Sequence, residues 1–179
     1  MTDTTSESSE NRSAFGLWMA ASVIVVVADQ LTKLAIIKWV ALYEKIPLNV
    51  FINITHQRNE GAAFSFLADA GGWQRWAFVL LATVVSGFIT VWLWRLRTER
   101  QVLLSAGLAL VLGGAVGNVI DRIRLGYVVD FFQVWIGSWP FPSFNVADAA
   151  ITVGAAFLIL DALLVSRSQP APPPDDPTG

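Results

Sequence analysis

The chain has 179 residues, of which 54% are hydrophobic and only 15% charged, a balance too apolar for a water-soluble domain of this size. Without cysteine it has no disulfide, thiolate nucleophile or cysteine metal site, and its single histidine, His56, leaves too few ligands for a zinc or iron centre. A net charge of −2, with twelve basic residues dispersed along the chain, argues against a nucleic-acid partner, which calls for basic residues gathered on one face.

In chain order, residues 1–13 are expected to be a disordered cytoplasmic tail. A first apolar run, 15–28, is uncharged and continues through Asp29 and Lys33 into Leu34-Ala35-Ile36-Ile37. It is long enough to span a membrane, which takes about 20 residues for roughly 30 Å of hydrocarbon. Residues 2–13 carry three acidic residues and one basic one, and no A-x-A-like site precedes Asp29, so a cleaved secretory signal peptide is not expected. The connection 41–75 joins Val50-Phe51-Ile52-Asn53-Ile54 to the turn-forming Asn59-Glu60-Gly61, which predicts short strands. Uncharged runs at 76–94 and 102–120 predict a helical hairpin about the arginine-rich link at 95–100. The connection 121–145 holds Tyr127, Phe131, Phe132, Trp135, Trp139, Phe141 and Phe144, rings suited to the headgroup level. A fourth span covers about 147–165, and the proline-rich residues 167–179 are expected to be a second disordered cytoplasmic tail. The reading is an all-α integral membrane protein of four transmembrane helices, with a small β-rich loop region and one domain, 14–166.

Arg95, Arg97 and Arg100 place their link in the cytoplasm by the positive-inside rule, so both termini lie inside and both long connections outside. Depth then brings the unusual polar residues together. Asp29 falls about 21 Å along its helix and Lys33 one turn further out. Asn118, Asp121 and Arg122 close the third span, Asp130 follows in the outer loop, and Asn145 and Asp148 open the fourth span. Asp161 alone falls at the other end. Several of these residues also have structural readings. Asp29 and Lys33 are spaced i, i+4 for an ion pair. Asp121 and Arg122 suit a helix end, and Asn145 or Asp148 suits the cap of the fourth helix. Gly113, Gly114 and Gly117 suit close helix packing.

Buried polar groups at membrane depth are costly and point to function. Two neighbouring carboxylates cannot both ionise comfortably, so one holds a proton and the other acts as a base. Such a pair hydrolyses a peptide bond without metal or covalent intermediate. The candidates are Asp121, Asp130 and Asp148, and periodicity does not choose among them. A transporter with a carboxylate relay through Asp29, Asp121 and Asp148 is the rival from another class, but a relay extends across the membrane whereas these acids crowd one side.

Five blocks carry a resemblance: Asp29-Gln-Leu-Thr-Lys33, Asn59-Glu-Gly-Ala-Ala-Phe64, Gly113-Gly-Ala-Val-Gly-Asn118-Val-Ile-Asp121-Arg122, Gly126-Tyr-Val-Val-Asp130-Phe131 and Phe144-Asn145-Val-Ala147-Asp148-Ala-Ala-Ile151. In this order they resemble the signature blocks of bacterial lipoprotein signal peptidase, or signal peptidase II. The resemblance implies four membrane helices in the bacterial cytoplasmic membrane and a catalytic dyad, Asp130 and Asp148, at its outer face. It implies that Asn59, Asn118, Arg122 and Asn145 line the substrate pocket or position the backbone, with Asp121 in support. The implied substrate is a prolipoprotein carrying diacylglycerol on the cysteine after the cleavage site, reached from the surrounding lipid. The implied inhibitor is the cyclic peptide globomycin. No cofactor is expected, and the protein is expected to be a monomer.

Overall fold

The computed structural model describes residues 4–61, 72–98 and 101–168. The chain runs α1 (Thr4–Trp39), β1 (Lys45–Pro47), β2 (Ile52–Asn59), α2 (Trp73–Arg95), a short 3-10 turn (Leu96–Thr98), α3 (Val102–Leu125), β3 (Val128–Ile136), β4 (Trp139–Pro140) and α4 (Val146–Ser168). Among the described residues, four helical stretches are long and apolar enough to cross a membrane: Ala14–Trp39, Trp73–Arg95, Val102–Leu125 and Val146–Ser166. The protein is therefore mostly helical with a small antiparallel sheet, as expected of a multi-pass membrane protein.

α3 is the central helix, packed against each of the other three. Leu93 at the end of α2 and Leu96 in the 3-10 turn after it meet Leu108 and Leu112 of α3, with Phe15, Trp18 and Met19 of α1 closing the cluster. The outward faces are as apolar as the core. Leu17, Ile24 and Leu31 recur every seven residues on α1 and are 62%, 67% and 61% exposed. A stripe of that kind is stable against lipid, where the hydrogen-bonded helix leaves no backbone group unsatisfied.

Two expectations are corrected. α1 begins at Thr4, so helix occupies most of the segment expected to be a disordered tail; lengthening an existing helix adds one hydrogen bond per residue fixed and avoids the cost of nucleation. α3 runs through Leu125, not 120. Lack of charge marks lipid-facing helix, and Asp121 and Arg122 extend the helix because they point inward. The helix stops at Gly126, whose φ of +91° lies in the left-handed region and whose N–H donates to the Arg122 carbonyl at 3.2 Å. The aromatic connection after α3 folds as a strand and so contributes to the expected β-rich loop region. Val128-Val129, Phe131-Phe132 and Val134-Trp135-Ile136 are β-branched and aromatic residues that favour a pleated, half-buried surface. The sheet order is β1-β2-β3-β4, all antiparallel, so the two long connections meet through β2 and β3. The tail beyond Ser168 lies outside the described residues.

α3 approaches α1 and α4 over small residues. A Cβ on Gly117 would stand 2.7 Å from Asp29 Oδ2 and 3.4 Å from the Ala147 side chain. Both neighbours are fixed, so Gly117→Ala is expected to destabilise the protein by about 1–3 kcal/mol. A lowered midpoint of thermal unfolding in detergent checks this.

Candidate active site

The site is assembled where α3 ends, α4 begins and β2 pairs with β3. The first turn of α4 needs partners for its free N–H groups. Asn145 Oδ1 accepts the Asp148 N–H at 2.9 Å while Asp148 Oδ2 accepts the Asn145 N–H at 3.3 Å, a reciprocal capping box. Asp29 reaches across from α1, its Oδ1 accepting the Ala147 N–H at 2.9 Å. The capping reading of Asn145 and Asp148 is thus met, and it leaves the other side-chain atoms free for the site. Asp148 Oδ1 accepts from Asn118 Nδ2 at 2.8 Å, and Asn145 Nδ2 donates to Asp130 Oδ1 at 2.7 Å and to Asn118 Oδ1 at 3.3 Å.

Asp130 is set by the sheet register. Gln57 pairs with Asp130 and Asn59 with Val128, which makes Asn59 the diagonal neighbour of Asp130 on the same face. Asn59 Nδ2 accordingly donates to Asp130 Oδ2 at 3.0 Å. Burial pushes the Asp130 carboxyl from its ordinary 3.8 up to about 7; the Asp148 charge adds to the rise, and the Asn59 and Asn145 hydrogen bonds and the Lys33 charge offset part of it. Asp130 and Asp148 face one cavity of about 1130 Å³, lined also by Asn59, Asn118 and Arg122. Arg122 Nη2 donates to the Gly61 carbonyl at 3.0 Å, and its guanidinium lies 5.2 Å from the centre of the Phe78 ring.

Asp121, the third candidate carboxylate, is turned the other way. Its Oδ1 accepts from Gln30 at 2.8 Å, and its Oδ2 accepts both the Val129 N–H at 3.2 Å and Lys33 Nζ at 2.8 Å. Asp121 is not among the cavity-lining residues, and it tethers the first residues of β3 next to Asp130. The expected pair of Asp29 and Lys33 forms at 2.8 Å with both groups fully buried. It is one edge of a larger network, because Lys33 also donates to Asn118 Oδ1 at 3.0 Å. Since Asn118 accepts from Lys33 through oxygen, its nitrogen is turned toward Asp148. Sequence reasoning missed Gln30; its place beside Asp29 in the first block was the available signal.

Residues 21–164 match the family described as signal peptidase (SPase) II. The chain is 52% identical over 147 residues to the lipoprotein signal peptidase of Cupriavidus necator, covering 82% of this chain and 83% of the relative. It is 46% identical over 154 residues to that of Acinetobacter baumannii, covering 86% and 87%. A solved bacterial membrane enzyme superposes with a TM-score of 0.74 at 28% identity, covering 88% of this chain and 94% of that one. Four membrane helices, a sheet over their ends and carboxylates held at that junction thus accompany a family match over most of the sequence, and the chain belongs to the signal peptidase II family of peptidases.

Proposed function

We propose that this protein is a membrane aspartic endopeptidase that removes the signal peptide from diacylglyceryl-modified prolipoproteins, cutting just before the lipid-modified cysteine. The observation that carries the reading is the pair of Asp130 and Asp148 in one cavity, held by Asn59, Asn118 and Asn145. Asp148 takes a proton from water as the water oxygen attacks the scissile carbonyl carbon, and Asp130 gives its proton to the carbonyl oxygen. On collapse Asp148 protonates the departing amine and Asp130 recovers a proton from the gem-diol. The dyad is restored without a covalent intermediate or cofactor. Arg122 and the asparagines hold the substrate backbone and the carboxylates in line, and Asp121, Asp29 and Lys33 hold those residues.

Depth supports the substrate assignment. The carboxylates stand at helix ends, beside the first turn of α4 and the sheet. A diacylglyceryl cysteine keeps its acyl chains in hydrocarbon and raises the scissile bond to that same headgroup level. The positively charged link at the other end of the bundle supports an orientation with both termini in the cytoplasm and the site at the outer face of the bacterial inner membrane.

The test is cleavage by the purified protein in detergent or lipid of a precursor peptide with and without diacylglycerol on its cysteine. Cleavage of the lipidated form to give an amino-terminal modified cysteine, blocked by globomycin, is expected. Equal cleavage of the unmodified peptide, or product ends elsewhere, would overturn the substrate assignment.

A further inference from the structure

The cavity lining carries two polar residues, Gln133 and Ser143, that the hydrolytic chemistry does not use. Asp130 and Gln133 both line the cavity, although strict alternation along β3 would send residues three apart to opposite faces. The cause is a bulge. The N–H groups of Phe131 and Phe132 both donate to the Phe144 carbonyl, at 3.0 and 2.8 Å, so two residues of β3 oppose one of the facing segment. The Phe131 and Phe132 ring centres lie 4.9 Å apart, neither residue is among the cavity lining, and Gln133 rejoins Asp130 in the cavity wall.

Gln133 is 7% exposed, and its Oε1 is buried without a hydrogen-bond partner. Ser143, next to Phe144 in the facing segment, lines the same cavity, and its Oγ is likewise buried and unpartnered. A buried polar group without a partner costs stability, and two of them among the lining of one cavity call for an explanation. The backbone of a bound peptide supplies the missing groups, with an amide N–H for Gln133 Oε1 and a carbonyl for the Ser143 hydroxyl.

We propose that Gln133 and Ser143 form a peptide-backbone subsite that fixes the register of the substrate in the cavity, distinct from the asparagines that hold the two aspartates. This rests on the peptidase reading above and extends it. The bulge is then the device that brings a specificity-determining amide onto the face of the Asp130 carboxylate. On this proposal, Gln133 Oε1 gains its partner from the bound peptide.

The experiment uses the full chain in detergent, a diacylglyceryl precursor peptide, and a series of the same peptide with one amide at a time replaced by an ester. Gln133→Met keeps the side-chain length and removes both polar atoms. KM is expected to rise about tenfold with kcat nearly unchanged, as for loss of one or two neutral hydrogen bonds. The thermal midpoint is expected to rise at the same time, because an unsatisfied buried group has been removed. Ser143→Ala should behave in the same direction and more weakly. One ester in the series should weaken the wild type and cause no further loss in Gln133→Met, since both changes delete the same bond. An unchanged KM in both variants, beside a wild type that cleaves the peptide, would overturn the subsite alone. So would a Gln133→Met variant whose thermal midpoint falls, the mark of a purely structural side chain. A wild type inert on the lipidated peptide would overturn the peptidase reading and this subsite with it.

Discussion

Asp130→Asn and Asp148→Asn are each expected to lower kcat/KM for a diacylglyceryl precursor by roughly 10³-fold, because in the proposed mechanism each removes one half of a proton-transfer pair that works only as a unit. The double variant should be little worse than either single one. Both asparagines preserve side-chain shape, so folding should survive, and Asp130→Asn carries a further signature. Burial raises the Asp130 carboxyl to about 7 from an ordinary 3.8, so the folded protein binds this proton more tightly than the unfolded chain. The resulting stabilisation is fully present below pH 3.8 and is lost as pH rises through about 7. At pH 8 the wild type holds a buried charge that asparagine lacks. Asp130→Asn should therefore raise the thermal midpoint at pH 8 and leave it nearly unchanged at pH 4, while activity is lost throughout. In the wild type, kcat/KM should fall above about pH 7, where Asp130, the proposed general acid, has lost its proton. Retention of near-normal turnover in either single variant would remove that residue from the dyad.

How much of this was legible beforehand depends on which physical signal each element carries. Hydrophobic length found all four spans, because lipid imposes it residue by residue. It placed the end of α3 too early, since Asp121 and Arg122 are charged yet satisfied inside the protein. The residues at the site were found from depth, but depth alone left Asp121 level with Asp130 and Asp148. The difference lies in which way each side chain turns, and that is set by contacts such as Lys33 to Asp121 and Asn145 to Asp130, distant in the chain. The pairing of β2 with β3 was invisible for the same reason: each strand's partner lies some 75 residues away, and aromatic content alone reads equally as strand or headgroup belt. The bulge that turns Gln133 inward depends on the segment ending at Phe144, and no local pattern announces it.

Lys33 is the residue whose removal should cost most in folding. Its ammonium lies 2.8 Å from both Asp29 Oδ2 and Asp121 Oδ2, buried inside the helical bundle. Lys33→Met would leave two carboxylates buried and near each other. Breaking a buried ion pair from one side costs about 3–5 kcal/mol, which exceeds a large part of the stability of a small protein. The expected result is loss of folded protein on extraction into detergent. Neutralising the partners as well, in the triple variant Lys33→Met, Asp29→Asn, Asp121→Asn, replaces a buried charge network by neutral groups of similar size and should restore much of the folded yield. Activity should not return with it. Asn118 orients its amide by accepting from Lys33, and with that donor gone its nitrogen is no longer held toward Asp148. The triple variant is therefore expected to be folded, with kcat reduced by roughly 10²-fold and KM little changed, the pattern of a lost positioning network. Full activity in the folded triple variant would show that the network serves stability alone.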